Sequence, residues 1–337
     1  MEYIETKMTS YIRELVSIQS CAGSPEEMNS FLLDRFKSIA FDNKKNSNHN
    51  FRFGMSGTVP FCLYKGIEDE AIVFLVHTDK VGMMVQSNKS PSEFNVSSVG
   101  SINPLSLKDE RVFVRADNGE NIQGILDVKK DDYSIIFKVI EKEKASLIRS
   151  GNYIHLSNAG FEQTGNHMIS RFLDNSVCVA SALHFLEQVV STGKLLKKSV
   201  VFIFTNREEI ANPIFLNRND FGLEGMKLME LCALDIGVVN ENVKETDVSI
   251  LAKDGGTVYS ESSVKKLINI AKEYSFDYGI DVINCGGTDI SLLACAGINC
   301  KTSSFGPVIS NLHGREILHK ESLSNFFSML CLYILNL

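Results

Sequence analysis

The run Ala71-Ile72-Val73-Phe74-Leu75-Val76, closing on His77-Thr78-Asp79, decides how this chain is read. An unbroken apolar run bounded by turn signals reads as a strand buried on both faces, the pattern of a parallel sheet. A second run, Val200-Val201-Phe202-Ile203-Phe204, stops just short of Glu208-Glu209, and a third, Leu231-Cys232-Ala233-Leu234, stops on Asp235. Asp174 in Phe172-Leu173-Asp174-Asn175 and His313 in Ser310-Asn311-Leu312-His313-Gly314 complete a sparse set of acids and imidazoles. In open α/β sheets, ligands gather in the crevice beyond the carboxyl ends of the strands. Two imidazoles and several carboxylates converging there suit one or two divalent metals of the zinc type, which points to metal-assisted hydrolysis.

Each of these residues also has a plainer reading. His77 at a strand end could make an ordinary hydrogen bond. Asp174, just before a helix expected at about 175–191, has the position of an N-cap. Glu208-Glu209 could be a solvated acidic turn, since Arg207 sits beside it. Asp235 is harder to dismiss, because a carboxylate inside an apolar run is costly unless it is paired or metal-bound. Adjacent carboxylates point in different directions, so a useful division gives one to a metal and leaves the other to take a proton. His313 and His319 both lie near the C-terminus, and chemistry alone does not choose between them.

Outward from the runs, apolar residues recur at helical spacing over 3–18, and Ser24-Pro25-Glu26-Glu27 opens a second helix to about Ser38. The polar segment 43–50 reads as a loop. After Gly82 the character changes to short alternating runs such as Val112-Phe113-Val114 and Ile122–Leu126, separated by turns such as Asp117-Asn118-Gly119-Glu120. From Asp174 the α/β pattern returns, with a helix from Ser263, the loop Gly286-Gly287-Thr288-Asp289 and a C-terminal helix from about Lys320. The expectation is an α/β domain, 1–85 and 165–337, interrupted by a small all-β module over 86–164. Exposed strand edges on such a module would pair readily with a second copy.

At 337 residues, with 44% hydrophobic and 22% charged residues, the composition is that of an ordinary globular chain. A net charge of −7 without any basic stripe argues against nucleic acid. The eight cysteines include no Cys-x-x-Cys pair and several sit in apolar stretches, as expected of a reducing compartment. The first residues, Met1-Glu2-Tyr3-Ile4-Glu5-Thr6-Lys7, lack a signal-peptide apolar region, and the longest apolar stretch near 330–337 falls short of the ~20 residues that span a bilayer. The expectation is a cytoplasmic protein with no membrane partner.

In order along the chain, His77-Thr78-Asp79, Leu173-Asp174-Asn175, Glu208-Glu209, Asp235, Gly286-Gly287-Thr288-Asp289 and His313-Gly314-Arg315-Glu316 resemble the motifs of metallopeptidase family 42. These are the glutamyl-aminopeptidase-like, or tetrahedral, aminopeptidases, and the resemblance covers nearly the whole chain. Spacing agrees: 97 residues separate His77 from Asp174, room for the β module, and only 78 separate Asp235 from His313, too few for a later lid domain. The resemblance implies a catalytic domain with a mixed, mostly parallel sheet between helices and an inserted barrel or PDZ-like dimerisation domain. It implies two divalent ions, Zn2+ or Co2+ with Mn2+ also suited. His77, Asp174 and Asp235 would hold one; Asp174 would bridge to a second held by Glu209 and His313.

By the same resemblance Glu208 is the general base, Asp79 orients His77, and Gly287, Thr288 and Asp289 line the substrate cleft. The implied activity is removal of N-terminal residues from short peptides by a homo-oligomer, a dimer or a dodecamer. A related amidohydrolase acting on an acylated small molecule and a non-catalytic oligomeric homologue are the competing readings. The chain departs from the family pattern at Lys80, where a glutamate is usual, at Asn175-Ser176, and at Ile210-Ala211-Asn212-Pro213 after the glutamate pair.

Overall fold

A computed structural model describes residues 2–45, 50–158, 160–212, 217–295 and 300–336. The chain opens with helices α1 (Glu2–Ser17) and α2 (Glu26–Lys45). Then come β1 (Phe51–Ser56), β2 (Val59–Tyr64) and β3 (Glu70–His77). Next is a run of strands with few helical turns: β4 (Gly82–Ser90), β5 (Glu93–Val99), β6 (Arg111–Arg115), β7 (Asn121–Val128), β8 (Ile135–Val139) and β9 (Tyr153–His155). The chain returns through β10 (Glu162–Thr164), β11 (His167–Ser170), α3 (Leu173–Thr192), β12 (Ser199–Thr205), β13 (Lys227–Leu234), β14 (Gly237–Val238) and β15 (Val248–Lys253). It ends with α4 (Glu261–Tyr274), β16 (Tyr278–Val282), α5 (Asp289–Cys295), β17 (Lys301–Ser310), β18 (Glu316–His319) and α6 (Lys320–Leu335).

The strands divide into two bodies. A 12-stranded mixed sheet runs β1-β2-β12-β3-β13-β17-β18-β11-β10, with β14 and the β15–β16 pair joined to β17. Its centre is parallel: β3 lies between β12 and β13, with Thr205 opposite His77. All of β12 and all but the first residue of β3 are buried, which is why both read as unbroken apolar runs. Phe74 and Phe202 stack across this pair with ring centroids 5.1 Å apart, and Tyr333 of α6 packs edge-on against Phe74. Helices α1 and α2 pack against α3, and α4 against α6. Among the described residues, no helix is long and apolar enough to cross a membrane.

The second body is a closed six-stranded barrel, β4-β5-β8-β7-β6-β9. It is entered at Gly82, four residues earlier than the sequence placed it, and left after His155; Glu162–Thr164 belong to the large sheet. Closure narrows one expectation. Because β4 pairs with β9 at Met83 and Met84, the ring is closed and offers a second copy less strand edge than an open sheet would. Helix α2 also runs past the expected end at Ser38 and takes in residues 43–45 of the anticipated loop, whose residues 46–49 lie outside the described set.

Candidate metal centre

The sheet's topology gathers the sequence candidates. His77 ends β3, Glu208 and Glu209 follow the end of β12 in a short 3-10 turn, and Asp235 follows the end of β13, so three parallel neighbours deliver them to one edge. Asp235 is not inside a continuous strand, as its apolar run suggested, but in the break between β13 and β14. There β17 passes very close: a Cβ on Gly306 would lie 1.7 Å from the Asp235 carbonyl oxygen, so only glycine fits. Asp174 comes from the first turn of α3, where its backbone is not yet helical and its peptide bond to Asn175 is cis. His313 comes from the turn joining β17 to β18, with φ at +58°.

The side chains meet. His77 Nε2 lies 3.0 Å from Asp174 Oδ1, 3.5 Å from Asp235 Oδ1 and 4.0 Å from Glu208 Oε2. His313 Nε2 lies 3.2 Å from Glu209 Oε2 and 3.5 Å from Asp174 Oδ2. Asp174 therefore does not cap its helix; its two oxygens face two imidazoles. Two groups of donor atoms result, His77 with Asp174 and Asp235, and Asp174 with Glu209 and His313, each lying within 4.8 Å of one another. They share Asp174. Glu208 belongs to neither.

Asp79 does less for His77 than expected and more for the glutamates. Its carboxylate is 3.7 Å from His77 Nδ1, which sits nearer, at 3.2 Å, to the Asp79 backbone oxygen. Its two oxygens accept the backbone N–H groups of Glu208 (3.2 Å) and Glu209 (3.1 Å), locking the glutamate turn to the end of β3. Glu316 does the same on the opposite side, though its sequence position gave it no role. One oxygen accepts the His313 N–H at 3.0 Å and the other the Asp174 N–H at 3.1 Å, tying two candidate ligands together. Its only sequence signal is an acid opening a strand three residues after His313.

The loop at 286–289 is held from behind. Asp254 accepts the N–H groups of Gly256 (2.8 Å) and Thr257 (2.7 Å) on one oxygen and the hydroxyls of Tyr259 and Ser291 on the other. The Thr288 hydroxyl lies 2.9 Å from the Tyr259 hydroxyl, and Asp289 accepts the Thr205 hydroxyl at 2.5 Å. Thr288 and Asp289 are thus buried and engaged, while Gly287 is exposed. Lys80 is also buried, but its amine donates to the carbonyls of Leu15 (2.7 Å) and Ile18 (2.5 Å) at the end of α1. Burial pushes that amine down to about 7, and Glu316 of the cluster opposes the shift. Of Ile210–Pro213, Ala211 adopts a left-handed φ of +51°, and Pro213 lies outside the described residues.

Charge in the cluster is crowded. Burial pushes Glu209 up to about 7 and Glu316 up to about 8, and raises Glu208 and Asp235. Burial would likewise raise Asp174, but the two imidazoles outweigh it and hold its carboxyl below the usual range. Burial would pull both imidazoles down, yet the surrounding carboxylates outweigh it, raising His77 well above its ordinary value and His313 to about 11. Four carboxylates and two imidazoles this close, largely out of solvent, are costly unless they compensate one another or share a cation. The donor set fits divalent ions.

His319 stands apart. It caps α6, its Nδ1 accepting the Glu321 N–H at 3.2 Å, and faces His167 across β11–β18 with Glu245 nearby.

An α/β sheet with an inserted barrel and a buried imidazole–carboxylate cluster at its strand ends defines a class, the metal-dependent hydrolases. The comparisons name the family. The model for M42 glutamyl aminopeptidase matches residues 60–329, and the chain belongs to that metal-dependent peptidase family. A putative aminopeptidase of Bacillus subtilis, YhfE, is 24% identical, with 97% of each chain covered. The fold is also that of the TET1 peptidase of Pyrococcus horikoshii, at TM-score 0.79 and 20% identity over 98% of this chain and 100% of that one. A TET aminopeptidase from a marine-sediment Thaumarchaeota archaeon superposes at TM-score 0.82 with 16% identity, over 98% and 97%. The protein is a peptidase.

Proposed function

We propose that this peptidase is a dinuclear-metal aminopeptidase that removes N-terminal residues from short peptides in the cytoplasm. One observation carries the reading: two three-residue ligand groups that share Asp174. His77, Asp174 and Asp235 would hold one ion, and Asp174, Glu209 and His313 the other, with Zn2+ or Co2+ suited to these nitrogen and oxygen donors and Mn2+ also acceptable. When bound, such ions supply Lewis acidity toward a peptide carbonyl and toward water.

The chain's own groups divide the remaining work. Glu208 stands beside both ligand groups without joining either, its side chain 15% exposed against 4% for Glu209. That leaves its Oε2 able to take a proton from the attacking water and return it to the departing amine. Asp79 fixes the positions of both glutamates through their N–H groups. In the Gly-Gly-Thr-Asp loop, the exposed backbone at Gly287 would meet the substrate, with Thr288 and Asp289 holding the loop in place.

The Pyrococcus horikoshii TET1 peptidase assembles into a tetrahedron or an octahedral shell. We infer a homo-oligomer here as well, in which the inserted barrel forms at least a dimer. Since the barrel is closed, the contact would use its surface, where Leu105, Tyr133, Ile140 and Leu147 are exposed. A shell of such dimers would admit only short, unfolded peptides.

The test is a panel of aminoacyl amides and their N-acylated counterparts, each assayed with zinc, cobalt and manganese. Cleavage should require a free α-amine and added metal. Equal cleavage of the acylated series would move the chain to the deacylases, and failure to bind metal would leave it a non-catalytic homologue.

A further inference from the structure

The large sheet carries a second cluster of donor atoms, away from the strand ends that gather the metal centre. His167 opens β11, His319 closes β18, and the antiparallel register sets them directly opposite one another. Their rings meet edge to face with centroids 5.0 Å apart. The Nε2 of His167 lies 3.3 Å from Glu245 Oε2, and one donor atom from each of His167, Glu245 and His319 falls within 4.8 Å of the other two.

The cluster is separate from the metal centre. Down the same ladder the register runs from His167 opposite His319 to Ser170 opposite Glu316, the acid that accepts the N–H groups of Asp174 and His313. Three residues lie between one end of β18 and the other, roughly 10 Å at ~3.3 Å per residue. An odd separation also puts Glu316 and His319 on opposite faces, because strand side chains alternate. Met168 and Leu318, on the Glu316 face, are fully buried, whereas Ile169 and Ile317, on the histidine face, are partly exposed. The histidine pair therefore looks outward.

Backbone contacts hold all three donors in place. β11 lies between β10 and β18, and the Lys320 N–H prolongs the ladder by donating to the Asn166 carbonyl at 2.8 Å. Glu245 sits in a turn closed by the Lys244 N–H on Asp247 Oδ2 at 2.8 Å. That turn is pinned to the start of α6, where the Ser322 hydroxyl donates to the Asp247 carbonyl at 2.6 Å and the Asn325 amide to the Thr246 carbonyl at 3.4 Å. His319 is 9% exposed, while the side chains of His167 and Glu245 are 34% and 59% exposed. An ion can thus reach the group from solvent and rest against a mostly buried imidazole. Donors bound tetrahedrally to one zinc-type ion stand about 3.4 Å apart. The His167–Glu245 contact is already close to that spacing.

We propose that His167, Glu245 and His319 bind one divalent ion of the zinc type, with solvent completing its coordination. Two imidazoles and one carboxylate are donors such ions favour, and three protein ligands leave a position open. The ion would staple β11, which leads into Asp174, to β18, which carries Glu316. Its cost is local. His319 Nδ1 accepts the Glu321 N–H at 3.2 Å. Ligation through Nδ1 takes that lone pair, and ligation through Nε2 needs the ring proton on Nδ1, so either way the α6 cap is given up. Glu321 is exposed, and water can take its N–H instead.

Zinc binding to the chelator-stripped, full-length protein, counted by competition with a chromophoric chelator, tests the assignment. Wild type should bind one equivalent per chain beyond those of the metal centre. In His167→Ala that equivalent should weaken at least ~10-fold while the others stay. His313→Ala should keep it, so a failure of the dinuclear reading and a failure of this one are told apart. Glu245→Gln, a change at an exposed side chain, should also weaken it ~10-fold and carries the test if the histidine variant does not fold. As a second readout, further zinc added to protein whose metal centre is already loaded should raise the thermal midpoint of wild type and not that of His167→Ala. Equal zinc binding by wild type, His167→Ala and Glu245→Gln would overturn the proposal and leave an exposed histidine–glutamate pair beside a helix cap. Loss of every equivalent in His313→Ala would overturn it as well.

Discussion

Glu208 and Glu209 are chain neighbours, yet they face different partners, and their assigned roles separate on that difference. Glu208→Gln keeps size but removes the proton acceptor, so turnover should fall by ~10² or more at unchanged metal content. Glu209→Gln should instead lower the occupancy of one ion, read by metal analysis of the purified variant. The two late histidines part in the same way. His313→Ala should lose metal and activity together, whereas His319→Ala should cost about 1 kcal/mol of stability as a lost helix cap and leave hydrolysis near wild type. Glu316→Gln turns an amide toward one of the two N–H groups its carboxylate now accepts. Metal affinity should fall by ~10-fold or more in a chelator competition while the fold survives. His77, Glu208, Glu209 and Asp235 were legible because each follows an apolar run, whereas Asp174 and His313 were singled out by the resemblance. The role of Glu316 was not legible, because its two partners lie three and 142 residues away and only packing brings them to it.

At the scale of elements, β9 shows how the barrel is joined to the rest of the chain. His155 stacks on Phe113 of β6 with centroids 5.0 Å apart, and its Nδ1 lies 3.2 Å from Gln19 Oε1, just beyond α1. Burial pushes its imidazole down to about 4. An unfolded histidine titrates near 6.5, so between about 6.5 and 4 the unfolded chain binds the extra proton. The neutral ring's contribution is thus complete above pH ~6.5 and is lost as pH falls toward 4, a change on the order of 3 kcal/mol. His155→Phe keeps the stacking and removes the titration. Its thermal midpoint should fall less than that of wild type between neutral pH and pH ~5; parallel curves would remove His155 from this role. The alternating runs showed the barrel's strands from the sequence, but not its closure, since β4 and β9 pair across some 70 residues.

For the whole molecule, the oligomeric state is the informative measurement. Light scattering at micromolar concentration should show at least a dimer of the 37.5 kDa chain, and charged substitutions at Tyr133 and Ile140 should shift it toward monomer. A particle of 37.5 kDa alone would remove the barrel's assigned contact and the size selection that follows from it.

By itself the sequence showed the layers and the acids and imidazoles that follow their apolar runs. Burial on both faces of a parallel sheet forces unbroken apolar runs, and a carboxylate or imidazole that ends such a run must be compensated there. Those constraints act on neighbours in the chain, so they can be read along it. Tertiary structure alone decided which oxygen faces which imidazole, that Asp174 faces two imidazoles rather than capping its helix, and that Asp79 and Glu316 hold the cluster by its backbone. It also committed the Lys80 amine to the carbonyls at the end of α1. Each of these depends on the crossing of distant segments, which the order of residues encodes only through the finished packing of the sheet.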